Sequence, residues 1–168
     1  MFPCKFDLHN HTVASGHAYS TLEEIVTAAQ RRGLELVGIA DHGPAMPGGP
    51  HLYHFGNRLA VPERFGELDV FFGVEANIIS QDGKLDLPIS ILKGLDFVAA
   101  GLHPATGYMG ENKADNTQAL IAAMENPYVD FVVHPGNPRF PMDVEQVAQA
   151  AVRTGVALEL NNSSLTIC

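Results

Sequence analysis

Apolar runs that alternate with helical stretches, each stopping at a histidine or a glutamate, constrain this chain more than any other feature. The first run leads into Phe6-Asp7-Leu8-His9-Asn10-His11-Thr12. On a strand over residues 4 to 11, positions i and i+2 point to the same face, with Cα atoms about 6.6 Å apart. His9 and His11 then present two imidazoles side by side, able to converge on one metal ion or on two adjacent ones. A polar loop, Thr12 to Ser20, follows. Thr21 opens a helix with the capping box Thr21-x-x-Glu24, apolar positions at Leu22, Ile25, Val26 and Ala29, and Gly33 as its left-handed stop. Leu34 to Ala40 reads as a buried strand ending at Asp41-His42-Gly43-Pro44. From Ala45 to Gly56 the chain is rich in Pro and Gly and reads as a long loop.

The pattern then repeats. Asp69 to Val74 is a third strand with Glu75 at its end, and Gln81-Asp82-Gly83-Lys84 is a tight turn. A short helix, Pro88 to Lys93, precedes the fourth strand, Leu95 to Leu102, which ends at His103-Pro104. Ala114 to Met124 is helical. Tyr128 to Val133 is the fifth strand, ending at His134-Pro135-Gly136. Asp143 caps a helix that reaches Thr154 and stops at Gly155, and Val156 to Leu160 is the sixth strand. Strands alternating with helices imply a parallel sheet with right-handed crossovers. The first strand is not followed by Gly-x-Gly-x-x-Gly, which disfavours a dinucleotide-binding fold. Polar residues at successive strand ends point instead to a β/α barrel whose mouth holds the site.

Of the eight histidines, six lie at the carboxyl end of a predicted strand or in the loop just after one: His9, His11, His17, His42, His103 and His134. His51 and His54 fall in the long loop, and none falls in a predicted helix body. All strand ends of a parallel barrel open on one face, so residues scattered along the sequence meet in one pocket. Histidine offers a neutral nitrogen to Zn, Mn or Fe, and a carboxylate such as Glu75 can bridge two ions. Two cations bridged about 3.5–4 Å apart clamp a phosphoryl group and generate a nucleophilic hydroxide at neutral pH.

Other polar residues are secondary. Asp7 reads as a backbone or lysine partner. Asp41 could orient an imidazole, as carboxylates behind ligating histidines do. Arg58 and Lys113 read as exposed charges that could also hold a phosphate. Asn161 and Asn162 close the sixth strand on the same face. Asn137-Pro138-Arg139 reads as a rigid loop, and the chain has no Gly-x-Ser-x-Gly elbow for a serine hydrolase.

Length, at 168 residues, suits one domain with a substantial core. A hydrophobic fraction of 46% excludes general disorder. No run approaches the roughly 18 apolar residues of a membrane span, and no signal peptide is read at the start. Cys4 and Cys168 read as the reduced thiols of a cytoplasmic protein. A formal charge of -9 argues against charge-driven nucleic-acid binding. It leaves a small anionic substrate open, since bound cations reverse the local field.

Seven stretches, in order, resemble the PHP (polymerase and histidinol phosphatase) family of metal-dependent phosphoesterases. They are Asp7-Leu8-His9-Asn10-His11-Thr12, Ser15-Gly16-His17-Ala18-Tyr19-Ser20, Asp41-His42-Gly43-Pro44, Gly73-Val74-Glu75-Ala76-Asn77, Gly101-Leu102-His103, His134-Pro135-Gly136-Asn137-Pro138 and Glu159-Leu160-Asn161-Asn162-Ser163-Ser164. The resemblance covers essentially the whole chain and is closest to the stand-alone branch of probable phosphatases. It implies a distorted, seven-stranded β/α barrel, of which this chain supplies about six strands, with three metal ions, generally zinc, in its mouth. By position, His9 and His11 would bind the first ion and Glu75 would bridge it to the second. His103 and His134 would complete the second, and His17 and His42 would bind the third.

The implied reaction is hydrolysis of a phosphate monoester by a metal-bound hydroxide, with Glu75, His9 and His11 at its centre. Family members continue into a seventh strand ending in Asp-x-His, which this chain lacks before Cys168. The expectation is therefore a C-terminally shortened PHP domain whose first and third ions each lose one ligand. Strands one and six would be left with unpaired backbone groups, and dimerisation or strand exchange is the expected cover. The alternatives are a metal-binding or interaction module without turnover, and a nuclease, which the net charge disfavours.

Overall fold

Two four-stranded sheets and five α-helices make up the computed structural model, which describes residues 5–110 and 112–161. In chain order the elements are β1 (Phe6–Asn10), α1 (Leu22–Arg31), β2 (Leu36–Ile39), α2 (Leu52–Gly56), β3 (Arg64–Phe65), β4 (Leu68–Phe72) and β5 (Val74–Asn77). They continue with α3 (Ile89–Leu92), β6 (Val98–Gly101), α4 (Lys113–Met124), β7 (Phe131–Val132), α5 (Val144–Thr154) and β8 (Ala157–Leu158). One sheet has the order β1-β2-β4-β3, the other β5-β6-β7-β8. Among the described residues every strand-to-strand pairing is parallel except the β3–β4 hairpin. The expected parallel α/β architecture is observed.

The strand count differs from the sequence reading at one passage. The expected third strand is split at Gly73 into β4, which pairs with β2, and β5, which pairs with β6. A side chain at Gly73 would place its Cβ 2.5 Å from the Phe97 carbonyl oxygen, so only glycine allows this approach. The two sheets meet along that passage: Glu75 donates its N–H to the Asp41 carbonyl, and Gly43 donates to the Glu75 carbonyl. Glu75 thus sits inside β5 rather than at a strand terminus. The hairpin turning at Gly66 adds β3, which the sequence pattern does not show.

The helices form where their ends are capped. Thr21 accepts from the Glu24 N–H while Glu24 accepts from the Thr21 N–H, and Gly33 follows at φ +69°. Asp143 accepts from the Gln146 N–H to start α5, which ends at Gly155 with φ +78°. The face of α1 carrying Val26 and Ala29 packs on Val37, Ile39, Val70 and Phe72. A larger core under the second sheet joins Val74, Ile78, Val98, Leu120, Val132 and Val147. Burying each such side chain fully contributes roughly 1.5–3 kcal/mol, which holds the strand ends in register.

The long loop after β2 departs from expectation by containing α2. His51 is its N-cap, with Nδ1 accepting from the Tyr53 N–H, and His54 lies within the helix body. Gln81 to Lys84 forms the expected turn, with Gly83 at φ +76° and Ile78 bridging Leu85. Among the described residues β1 and β8 end their sheets without pairing to each other. Cys4, Cys168 and Asn162 lie outside the described residues. No helix among the described residues is long and apolar enough to cross a membrane.

Candidate metal centre

Glu75 is the hub of the strand-end face. It is 1% exposed, and five imidazoles surround its carboxylate. His103 Nε2 and His134 Nε2 lie 2.9 and 2.8 Å from Oε1. His42 Nδ1, His11 Nε2 and His9 Nε2 lie 3.0, 3.1 and 3.4 Å from Oε2. They arrive from four strands: His9 from β1, His11 just after it, and His42, His103 and His134 from the segments following β2, β6 and β7. His17 joins the edge of this ring, with its centroid 5.1 Å from that of His11 and 4.8 Å from that of His42.

A register shift in β1 between Asp7 and Asn10 helps aim this first pair. One extra residue on β1 re-aims side chains locally, as bulges beside functional sites do. His9 and His11 end with ring centroids 5.1 Å apart and both Nε2 atoms toward Glu75.

The hydrogen bonds behind the ring set its tautomers. Buried Ser15 donates its hydroxyl to Asp41 Oδ1 at 2.7 Å and accepts the His42 N–H at 3.0 Å. Its hydroxyl proton is therefore committed, and His11 Nδ1, 3.1 Å away, is the donor to Ser15 Oγ. His9 Nδ1 donates to Glu159 Oε1 at 2.7 Å. In both rings Nε2 is left to face Glu75.

That arrangement fits a cation. Glu75 Oε2 is buried and receives no aligned hydrogen bond among the described residues, although three ring nitrogens crowd it. Buried carboxylate oxygens are costly to leave unpaired. Imidazole nitrogens with a carboxylate are the donor set that zinc, manganese and iron take. Three groups have ligand atoms all within 4.8 Å of one another: His11, His17 and His42; His9, Glu75 and His134; and His42, Glu75 and His103. The first group contains the His17 and His42 pair that the family resemblance implies for one ion. The other two pair His9 with His134 and His42 with His103, where the resemblance pairs His9 with His11 and His103 with His134.

Charge follows the same geometry. Burial alone would raise the Glu75 carboxyl, but His103, His11, His134 and His42 outweigh it and hold the group well below the usual carboxylate range. Burial would lower His9, yet its bond to Glu159, its 3.4 Å contact with Glu75 and the charges of both push it up to about 10. Burial dominates at His42 and lowers it despite Glu75. Glu159 is lowered because the His9 contact and the His134 N–H outweigh its partial burial.

The secondary candidates resolve differently. Asp41 accepts from the Thr12 N–H, the Thr12 hydroxyl and Ser15, so it supports His11 through Ser15. Its imidazole contact is His54, 3.2 Å away, which stands behind the ring around Glu75. Arg58 is bound to Asp96 and to the Gly94 carbonyl, and Lys113 pairs with Asp143; neither partner belongs to the cluster. Asp7 accepts from the His9 N–H, and Asn161 donates to Glu159. Glu159 opens the seventh stretch of the family resemblance but receives no role there, although it stands just past β8 where the strand-end rule places the histidines. Ser15, in the second stretch, likewise receives no role, because serine in a polar loop carries no local pattern.

The PHP domain family model matches residues 7–135. A probable phosphatase of Caldanaerobacter subterraneus subsp. tengcongensis is 52% identical over 158 residues, covering 94% of this chain and 62% of the relative. A probable phosphatase of Acetivibrio thermocellus is 49% identical over 158 residues, covering 94% and 65%. The chain thus spans under two thirds of the length of these curated relatives. Among solved structures, a histidinol phosphate phosphatase from Lactococcus lactis, crystallised with zinc, L-histidinol and phosphate, superposes with a TM-score of 0.64. That match covers 94% of this chain and 73% of the other at 16% identity, a likeness of fold.

Proposed function

This chain belongs to the PHP domain family, and from that premise we propose that it hydrolyses a phosphate monoester with transition-metal ions held around Glu75. The observation that carries the reading is the buried Oε2 of Glu75, ringed by three imidazole nitrogens yet without an aligned hydrogen bond among the described residues. His9, His11, His17, His42, His103 and His134 are the residues that would hold the ions together with Glu75. Zinc is the first choice, with manganese or iron served by the same donors. When bound, such ions supply positive charge that polarises a phosphoryl group and acidify water into a nucleophile at neutral pH.

The chain's own residues do the holding and orienting. Ser15 and Glu159 fix the rings of His11 and His9 from behind. His42 and His103 form the buried floor, while His9, His11, His17 and His134 keep partial access from solvent. Substrate therefore approaches on that second side. Arg58 and Lys113 are engaged away from the ring, by Asp96 and Asp143, so neither is the group that would meet the phosphate's charge. The Lactococcus lactis histidinol phosphate phosphatase holds L-histidinol and phosphate, which supports a small phosphorylated substrate here.

The test is hydrolysis of p-nitrophenyl phosphate by the purified chain. Activity abolished by a chelator and restored by zinc or manganese is expected. Metal uptake without hydrolysis would make the chain a binding module and contradict the proposal. Single-stranded DNA in manganese should not be cleaved.

A further inference from the structure

We propose that Glu159 is a positioning residue for metal capture, holding His9 and His134 from behind with one carboxylate. This rests on the metal-centre reading above. Oε1 accepts from His9 Nδ1 at 2.7 Å, and Oε2 accepts the backbone N–H of His134 at 2.6 Å. His9 and His134 are the two histidines grouped with Glu75 in one of the three ligand clusters. A single side chain at the end of β8 thus orients both.

Two features make the arrangement more than a strand-end contact. His134 has φ +32°, a left-handed backbone that side-chain-bearing residues rarely adopt. Such conformations persist where surrounding bonds over-determine them, and the Glu159 bond to that N–H is one of them. The second feature is topological. β1 and β8 are not neighbours in either sheet among the described residues, so the His9–Glu159 bond crosses the opening between the two ends of the wall.

The chemical consequence lies in the tautomer. An ionised carboxylate only accepts hydrogen bonds, so Nδ1 of His9 carries the proton facing it. Nε2, 3.4 Å from Glu75 Oε2, is left as the nitrogen that can ligate. Carboxylates placed behind metal-bound histidines act this way generally, and removing one costs about 10- to 100-fold in metal affinity.

Glu159→Gln separates this role from plain cross-linking. A backbone N–H can only donate, so the amide oxygen must take His134 and the amide NH2 must turn to His9. Nδ1 then accepts, and the proton moves to Nε2, the nitrogen needed for metal. Zinc titration of wild type and variant, with bound zinc counted by elemental analysis, reads the effect. The expected result is one tightly held zinc fewer per chain, or an affinity about 10- to 100-fold lower at one site. Zinc uptake equal to wild type, with only a lower melting temperature after chelation, would overturn the proposal while leaving the metal centre intact. No zinc uptake by the wild type would overturn both.

Nitrogen-15 NMR of the zinc-loaded wild type needs no variant. It should show the His9 proton on Nδ1, and a proton on Nε2 would refute the assignment.

Discussion

Glu75→Gln keeps the shape of the buried side chain in β5 and removes its charge. In the wild type, Oε1 serves two imidazoles at 2.8 and 2.9 Å and Oε2 faces three ring nitrogens at 3.0 to 3.4 Å. Whichever end the amide NH2 occupies, at least two ring nitrogens meet a donor where an acceptor stood. A unit charge pair at 4 Å is worth about 4 kcal/mol at an effective dielectric of about 20. Every 1.4 kcal/mol is about tenfold, so cation affinity should fall about a thousandfold. Zinc titration against a chromophoric chelator measures that directly, and p-nitrophenyl phosphate hydrolysis at fixed zinc should fall with it by orders of magnitude. A folded Glu75→Gln protein that binds zinc and turns over as wild type would refute the reasoning.

Ser15→Ala should cost about 1–3 kcal/mol of stability, because the buried His42 N–H and His11 Nδ1 lose their partner and Asp41 Oδ1 keeps only the Thr12 N–H. Urea denaturation with an unshifted midpoint would contradict it. The metal-free protein should also lose stability in alkali. His9 rises from its ordinary 6.5 to about 10 on folding, so its contribution is fully present below 6.5 and disappears as pH rises through 10. Glu75, lowered from 4.5, contributes above 4.5 and fails only in strong acid. Melting temperatures in chelator should therefore decline between pH 7 and 10.5, and a flat profile would count against the His9–Glu159–Glu75 contacts.

The parallel strands and their histidines were legible because apolar runs announce buried strands, and a residue just past such a run has one place to be. His9, His11, His42, His103 and His134 follow from that rule, and the structure gathers them around Glu75. Elements without a period were not legible. α2 is five residues in a stretch of Pro and Gly, and β3 is two residues supported only by its hairpin partner. His54 therefore reads as a loop residue in the sequence but lies in α2, against Asp41. The split at Gly73 follows from packing against Phe97, a contact made across the fold. Glu159 is the sharpest case: its partners are His9, 150 positions away, and the His134 backbone, and pairing at that range leaves no local pattern.

Crystals of the zinc-loaded chain, measured on both sides of the zinc absorption edge, test the central claim most directly. Anomalous peaks should lie beside the Glu75 carboxylate, within bonding distance of imidazoles from His9, His11, His17, His42, His103 or His134. Peaks confined to surface carboxylates, with Glu75 still contacting only imidazoles, would contradict the account.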